Sequence, residues 1–139
     1  MQITRQADYA MRAVAYLANL GPNQRAATSQ IAEEQQIPPS FLAKIVSQLS
    51  VAGLLQTSRG ARGGVSLART PGEISFLEVV EAIDGPILLN ECVADSSACN
   101  FGDSCALRPV FCDAQAELVN RLEATSFLTV VETNGKSAA

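Results

Sequence analysis

Residues 28–68 read Thr28-Ser-Gln-Ile-Ala-Glu-Glu-Gln-Gln-Ile-Pro-Pro-Ser-Phe-Leu-Ala-Lys-Ile-Val-Ser-Gln-Leu-Ser-Val-Ala-Gly-Leu-Leu-Gln-Thr-Ser-Arg-Gly-Ala-Arg-Gly-Gly-Val-Ser-Leu-Ala68. A helix starts at Thr28 or Ser29, either of which can N-cap it, and runs through Ile31 to Gln36. Glu33 and Glu34 suit its N-terminal half. Ile37-Pro38-Pro39 interrupts it, because proline cannot continue a helix but is tolerated in the first turn of the next. A second helix follows over about 39–52, with Leu42, Ile45, Val46 and Leu49 on one stripe, and Gly53 stops it. Leu55 and Thr57, then Val65 and Leu67, alternate as two short strands around the Gly-rich turn 59–64. Two helices across a tight break and then a hairpin are the pattern of a helix-turn-helix with a wing. The helices alone would equally fit any small helical bundle.

The face of the 39–52 helix opposite its apolar stripe carries Ser40, Lys44, Ser47 and Gln48. Their donors and acceptors suit base edges and phosphates, although any solvated face looks similar. The hairpin tip carries Arg59 and Arg62 among glycines, which suits entry into the focused negative potential of a minor groove. The partner expected is therefore double-stranded DNA.

Outward from this unit, residues 6–20 read as a helix with Ala10, Ala13, Val14 and Leu17 at helical spacing, ended by Gly21-Pro22-Asn23. Beyond Thr70-Pro71-Gly72, Ser75-Phe76-Leu77-Glu78 is a capping box that opens a fourth helix. Phe76, Val79, Val80 and Ile83 form its stripe, and Asp84-Gly85-Pro86 ends it. Leu107, Val110, Phe111, Ala114, Leu118 and Leu122 keep helical spacing over about 109–124, with Pro109 in the first turn. This helix is read as a dimerisation helix or as one packed within the monomer. Residues 126–133 are apolar without a clear type, and 134–139 read as a frayed tail. The expected fold is mainly α: a winged helix-turn-helix with a small two-stranded β wing over 1–85, a cysteine-rich loop over 86–106, and a long C-terminal dimerisation helix with a short following segment over 107–133.

The four cysteines, Cys92, Cys99, Cys105 and Cys112, lie within the same short stretch of a 139-residue chain. The first three sit among small polar residues with little apolar surface to bury, so thiolates converging on a metal are a natural source of order. Cys105 falls just before the long helix, near the positive end of its dipole, a setting that favours a thiolate and an anionic cofactor. The chain has no histidine, which removes Ser-His and Cys-His catalysis and every His-containing metal site. An enzyme is not expected, nor a small-molecule substrate. No apolar run approaches a membrane span and the N-terminus lacks a signal-peptide core, so a cytoplasmic protein with reduced thiols is expected. The net charge of −4 hides an asymmetry: residues 1–70 hold seven basic and three acidic residues, and residues 71–139 hold three and eleven. A basic half suits phosphate, although unevenly charged halves also occur in ordinary soluble domains.

Together, Met1-Gln-Ile-Thr-Arg-Gln-Ala-Asp-Tyr-Ala10, Ile31-Ala-Glu33, Ser40-Phe-Leu42, Ala52-Gly-Leu54, the Arg59-Gly60, Gly63-Gly64 and Leu67 pattern and the three-cysteine loop resemble the Rrf-type winged-helix regulators over about residues 1–125. The resemblance implies a homodimer on a palindromic operator, with a bound iron–sulfur cluster that senses iron, redox state or nitric oxide. The regulator is read as a repressor. In such proteins the second helix of the motif lies in the major groove and the wing arginine, here Arg59, enters the minor groove. The thiolate ligands map onto Cys92, Cys99 and Cys105. The fourth ligand varies among members. A histidine three positions after the third cysteine is replaced here by Arg108, which cannot ligate. An aspartate in the first helix of the partner subunit corresponds to Asp8, which would otherwise complement the helix dipole. Cys112 is the rival ligand and reads more readily as a small core residue. Three thiolates and a carboxylate favour a four-iron, four-sulfur cluster over a two-iron, two-sulfur one. The alternatives are a structural zinc site and direct thiol oxidation without a cluster. The six, five and six residues between successive cysteines fit poorly the close pairs usual for zinc.

Overall fold

The computed structural model describes residues 2–138 apart from Ala61, Arg62 and Cys99; for Ala98 and 134–138 it describes the backbone alone. Its helices are α1 (Arg5–Asn19), α2 (Thr28–Gln35), α3 (Pro39–Val51), α4 (Phe76–Asp84), α5 (Glu91–Ala94), α6 (Arg108–Ala124) and α7 (Phe127–Ala138). The strands β1 (Leu55–Ser58) and β2 (Gly64–Leu67) form an antiparallel hairpin that pairs Leu55 with Leu67 and Thr57 with Val65.

The core is mainly aliphatic, with Phe127 the one buried aromatic among the described residues. Ala10, Ala13, Val14 and Leu17 of α1 are buried against Leu42, Ile45, Val46 and Leu49 of α3 and Val79 of α4. Alanines at helical spacing let α1 sit close to its neighbours, and α1 packs on α2, α3, α4 and α7. Thr4 N-caps α1, its hydroxyl accepting from the Ala7 N–H at 3.1 Å. The same Thr4 donates its backbone N–H to Asp84 Oδ2 at 3.2 Å and its hydroxyl to Asp84 Oδ1, fixing the start of α1 to the end of α4. The Ser75 capping box of α4 forms as expected, with Glu78 N donating to Ser75 Oγ and Ser75 N to Glu78 Oε2, both at 3.1 Å. Tyr16 of α1 meets α2: its hydroxyl accepts from Gln30 Nε2 at 2.9 Å. Desolvation, with Glu34 as its hydrogen-bond acceptor, raises the phenol above its ordinary range.

Three features depart from the expectations. Neither Thr28 nor Ser29 caps α2; its N-cap is Ala27, which has no capping side chain. Ala26 exchanges both backbone hydrogen bonds with Val65, at 3.0 and 2.8 Å, and this third-strand contact keeps the chain extended up to Ala27. The untyped segment at 126–133 is helix α7, and that helix takes in residues expected as a tail, as far as Ala138. Phe127, 1% exposed, stacks on Phe76 with ring centroids 5.4 Å apart, so the core of the winged domain is shared with the end of the chain. Pairing of Ser75 with Ser126, through Phe76 N to Thr125 O at 2.8 Å and Phe127 N to Ile74 O at 3.1 Å, docks it there.

Candidate nucleic-acid interface and cysteine site

The helix-turn-helix is α2, the break at Gln36-Ile37-Pro38, and α3. Gln36 is left-handed (φ 53°, ψ 46°), which lets the chain reverse before Pro39 opens α3. The end of α3 is closed by Gly53 N donating to Ser50 O and Leu54 N to Leu49 O, at 3.0 and 2.9 Å. Leu54 and Leu55 are then buried, which anchors the base of the wing on the core.

Ser40, Lys44 and Ser47 are exposed on α3, on the side away from its buried stripe. Gln48 is half-buried, and its Oε1 is shielded from solvent with no hydrogen-bond partner. It stands three residues after buried Ile45 and beside buried Leu49, so it borders the stripe and does not face outward like the other three. Phe41, 43% exposed, lies in the first turn of α3 with its ring tilted against Tyr9 of α1 at 6.2 Å.

At the wing, Arg59 is exposed at the tip, and Arg62 lies outside the described residues. A Cβ at Gly63 would stand 2.4 Å from the Ser58 carbonyl oxygen, and one at Gly64 2.7 Å from that of Ala26. Only glycine permits those backbone approaches, so this pair sets how tightly the wing turns and how closely β2 meets Ala26. Arg69, just beyond the wing, pairs with Glu78 of α4 at 3.1 Å and donates to the Glu73 carbonyl at 3.3 Å, tying the hairpin's exit to the core.

Cys92 lies in α5, Cys105 ends the 3₁₀ turn Gly102–Ser104, and Cys112 lies in α6; Cys99 is outside the described residues. Cys92, Cys105 and Cys112 are free thiols and half-buried. Among the described residues no three Cys, Asp or Glu side chains converge as a metal site. Asp8 of the same chain sits in the first turn of α1 and pairs with Arg12 at 3.0 Å, both side chains about half exposed (49% and 57%). Asp95, between the first two cysteines, accepts from the Ser97 hydroxyl and N–H, and these bonds hold its carboxyl below the ordinary range.

Two side chains of α6 hydrogen-bond to described residues of this segment; the sequence marks Arg108 only as unable to ligate and does not mark Gln115 at all. Arg108 Nε donates to the Cys92 carbonyl at 2.8 Å, and Gln115 Oε1 accepts from the Leu89 N–H at 2.8 Å. Beyond this, no described residue between Leu88 and Ser126 is buried. Leu107 and Val110 are 64% and 65% exposed, and Phe111 is exposed at its side.

A helix-turn-helix with an exposed polar helix and an arginine-bearing wing defines a winged-helix DNA-binding transcriptional regulator. The chain belongs to the Rrf2 family, whose sequence profile, described as an iron-dependent transcriptional regulator, matches residues 3–133. It is 32% identical over 124 residues to the HTH-type transcriptional regulator NsrR of Shouchella clausii, covering 88% of this chain and 83% of that one. Among solved structures it is similar in fold to CymR, the global cysteine regulator of B. subtilis (TM-score 0.81, 22% identity, covering 96% of this chain and 98% of that one). It is likewise similar to IscR of T. potens (TM-score 0.79, 19% identity, covering 100% and 92%). The protein is a regulator of transcription and not an enzyme. No helix among the described residues is long and apolar enough to cross a membrane.

Proposed function

We propose that the protein is a cytoplasmic homodimeric regulator, acting as a repressor, that binds a palindromic operator and adjusts its affinity through an iron–sulfur cluster held in the 86–106 segment. The observation that carries this reading is the absence of any buried described residue from Leu88 to Ser126, in a segment that nevertheless folds and holds Cys92 and Cys105 half-buried and unbridged. A segment with so little core takes much of its order from something added to the chain, here a second subunit along α6 and a group bound by thiolates. The donor set fits iron: soft thiolates from Cys92, Cys99 and Cys105, with the carboxylate of Asp8 from the partner subunit as fourth ligand. That set suits a four-iron, four-sulfur cluster better than a two-iron, two-sulfur one. Cys112, a turn inside α6, stays outside it. When bound, such a group supplies sensitivity to iron supply, redox state or nitric oxide.

The chain's own residues turn that into a switch. Ser40, Lys44 and Ser47 offer α3 to the major groove, with Gln48 at the edge of that face, while Arg59 and Arg62 offer the wing to the minor groove. If Asp8 is held by the partner's loop, it leaves Arg12 free, and the start of α1 is fixed to the other subunit. The spacing of the two α3 helices, and so their fit to half-sites one helical turn apart, then follows the state of the segment.

Anaerobically purified protein is expected to show visible charge-transfer absorbance and a cluster mass. Cys92→Ala, Cys99→Ala and Cys105→Ala each abolish the absorbance and change operator affinity, while Cys112→Ala does neither. A coloured triple variant overturns the cluster reading. One zinc per chain in a colourless protein favours a structural metal site, and a colourless metal-free protein whose affinity changes on oxidation favours direct thiol sensing, which the likeness to CymR also accommodates.

A further inference from the structure

We infer that Arg108 and Gln115 are positioning residues for Cys92: from one face of α6 they fasten residues 89–95 in place whether or not a metal group is bound. They lie seven residues apart, two helical turns, and so project from the same side of α6 about 10.5 Å apart along its axis. Arg108 Nε donates to the Cys92 carbonyl and Gln115 Oε1 accepts from the Leu89 N–H, each at 2.8 Å, so the two bonds bracket the entry to α5. Arg108 and Gln115 are both half-buried, which limits competition from water.

The limb needs such fastening. α5 is four residues long, and its own backbone bonds, Val93 N to Asn90 O at 3.2 Å and Asp95 N to Glu91 O at 3.1 Å, do not hold an isolated turn in water. None of residues 89–95 is buried, so apolar packing contributes little. Arg108 also follows Cys105 by three residues, so its bond to Cys92 draws the first cysteine's backbone toward the chain leaving the third. The side chain at position 108 thus contributes to the site by placing a thiol instead of by ligation, and the cysteines meet iron in a partly formed pocket.

The test is amide hydrogen exchange on the full chain, stripped of metal with a chelator and kept reduced, for wild type, Arg108→Ala, Gln115→Ala and Arg108→Lys. The alanine variants are expected to speed exchange at Leu89, Val93 and Asp95 at least tenfold and to leave α3 unchanged. Arg108→Lys, which keeps a donor, recovers most of the protection. Equal exchange in wild type and both alanine variants, or an increase spread through α3, overturns the inference. A second arm rests on the cluster reading. After reconstitution with ferrous iron and sulfide, Arg108→Ala is expected to lose its visible absorbance to a chelator at least fivefold faster than wild type, with Arg108→Lys intermediate; equal rates overturn the positioning of Cys92 for ligation. Should wild type itself take up no cluster, that result falls on the proposed function, and the exchange arm alone decides the fastening.

Discussion

Gln48 illustrates how a single position divides between core and surface. On a helical wheel it groups with Ser40, Lys44 and Ser47, yet its amide oxygen is shielded and unpaired, as is Ser50 Oγ. A buried acceptor without a partner costs about 1–3 kcal/mol, whereas an apolar side chain of similar shape carries no such penalty. Gln48→Met is therefore expected to raise the urea midpoint with an unchanged m-value, by the equivalent of about 1 kcal/mol; a lower midpoint would show that the amide is satisfied in solution. Arg108 presents the opposite case. Its place three residues after Cys105 marks it only as a side chain unable to ligate, because its bond is to a carbonyl sixteen residues earlier that only the tertiary fold brings within reach. Residue types with one dominant chemistry, such as the cysteines, can be read from sequence; side chains that act on the backbone elsewhere cannot.

Among the elements, those with their own periodicity were the legible ones. α1, α3, α4 and α6 lie within a residue or two of their expected limits, since each repeats apolar residues over at least two turns. The wing was legible from its glycines. α2's true cap was hidden because Ala26 is held by Val65, nearly 40 residues on, and α7 because its packing partner Phe76 lies in another helix. The bond between Thr4 and Asp84 belongs to this hidden class. It joins elements 80 residues apart, fixing the helix that carries Asp8 to the end of α4, where Gly85-Pro86 leads into the cysteine segment. Thr4→Ala removes the α1 cap and the hydroxyl half of this clamp, leaving the backbone N–H on Asp84 Oδ2, and is expected to cost about 1–2 kcal/mol. Asp84→Ala removes only the clamp and is expected to cost about 0.5–1.5 kcal/mol, because the site is exposed. The double variant should cost clearly less than the two together, measured by denaturant titration in a double-mutant cycle. Strict additivity would mean that the two side chains do not meet in solution.

At the scale of the whole molecule, charge and exposure segregate along the chain. Residues 1–70, with the helix-turn-helix and the wing, are net basic, while residues 71–139 are acidic and present a long helix, α6, with no buried residue. The dimer proposed above would account for both: an interface along α6 would cover Leu107, Val110 and Phe111 and set two basic halves side by side for one duplex. Val110 is the sharpest probe, because at 65% exposure it contributes little to the fold of a single chain. Val110→Asp is expected to keep the wild-type far-ultraviolet dichroism and to sediment as a 14.6 kDa monomer where wild type sediments at twice that mass. A monomer reaches one half-site, so its operator affinity should fall at least about 100-fold, because the second half-site no longer binds at high effective concentration. Its weak binding to non-operator DNA, which depends on the basic surface of one winged unit, should change far less at equal salt. A dimeric Val110→Asp variant with unchanged operator affinity would move the interface off α6 and leave the exposed helix without an explanation in the homodimer.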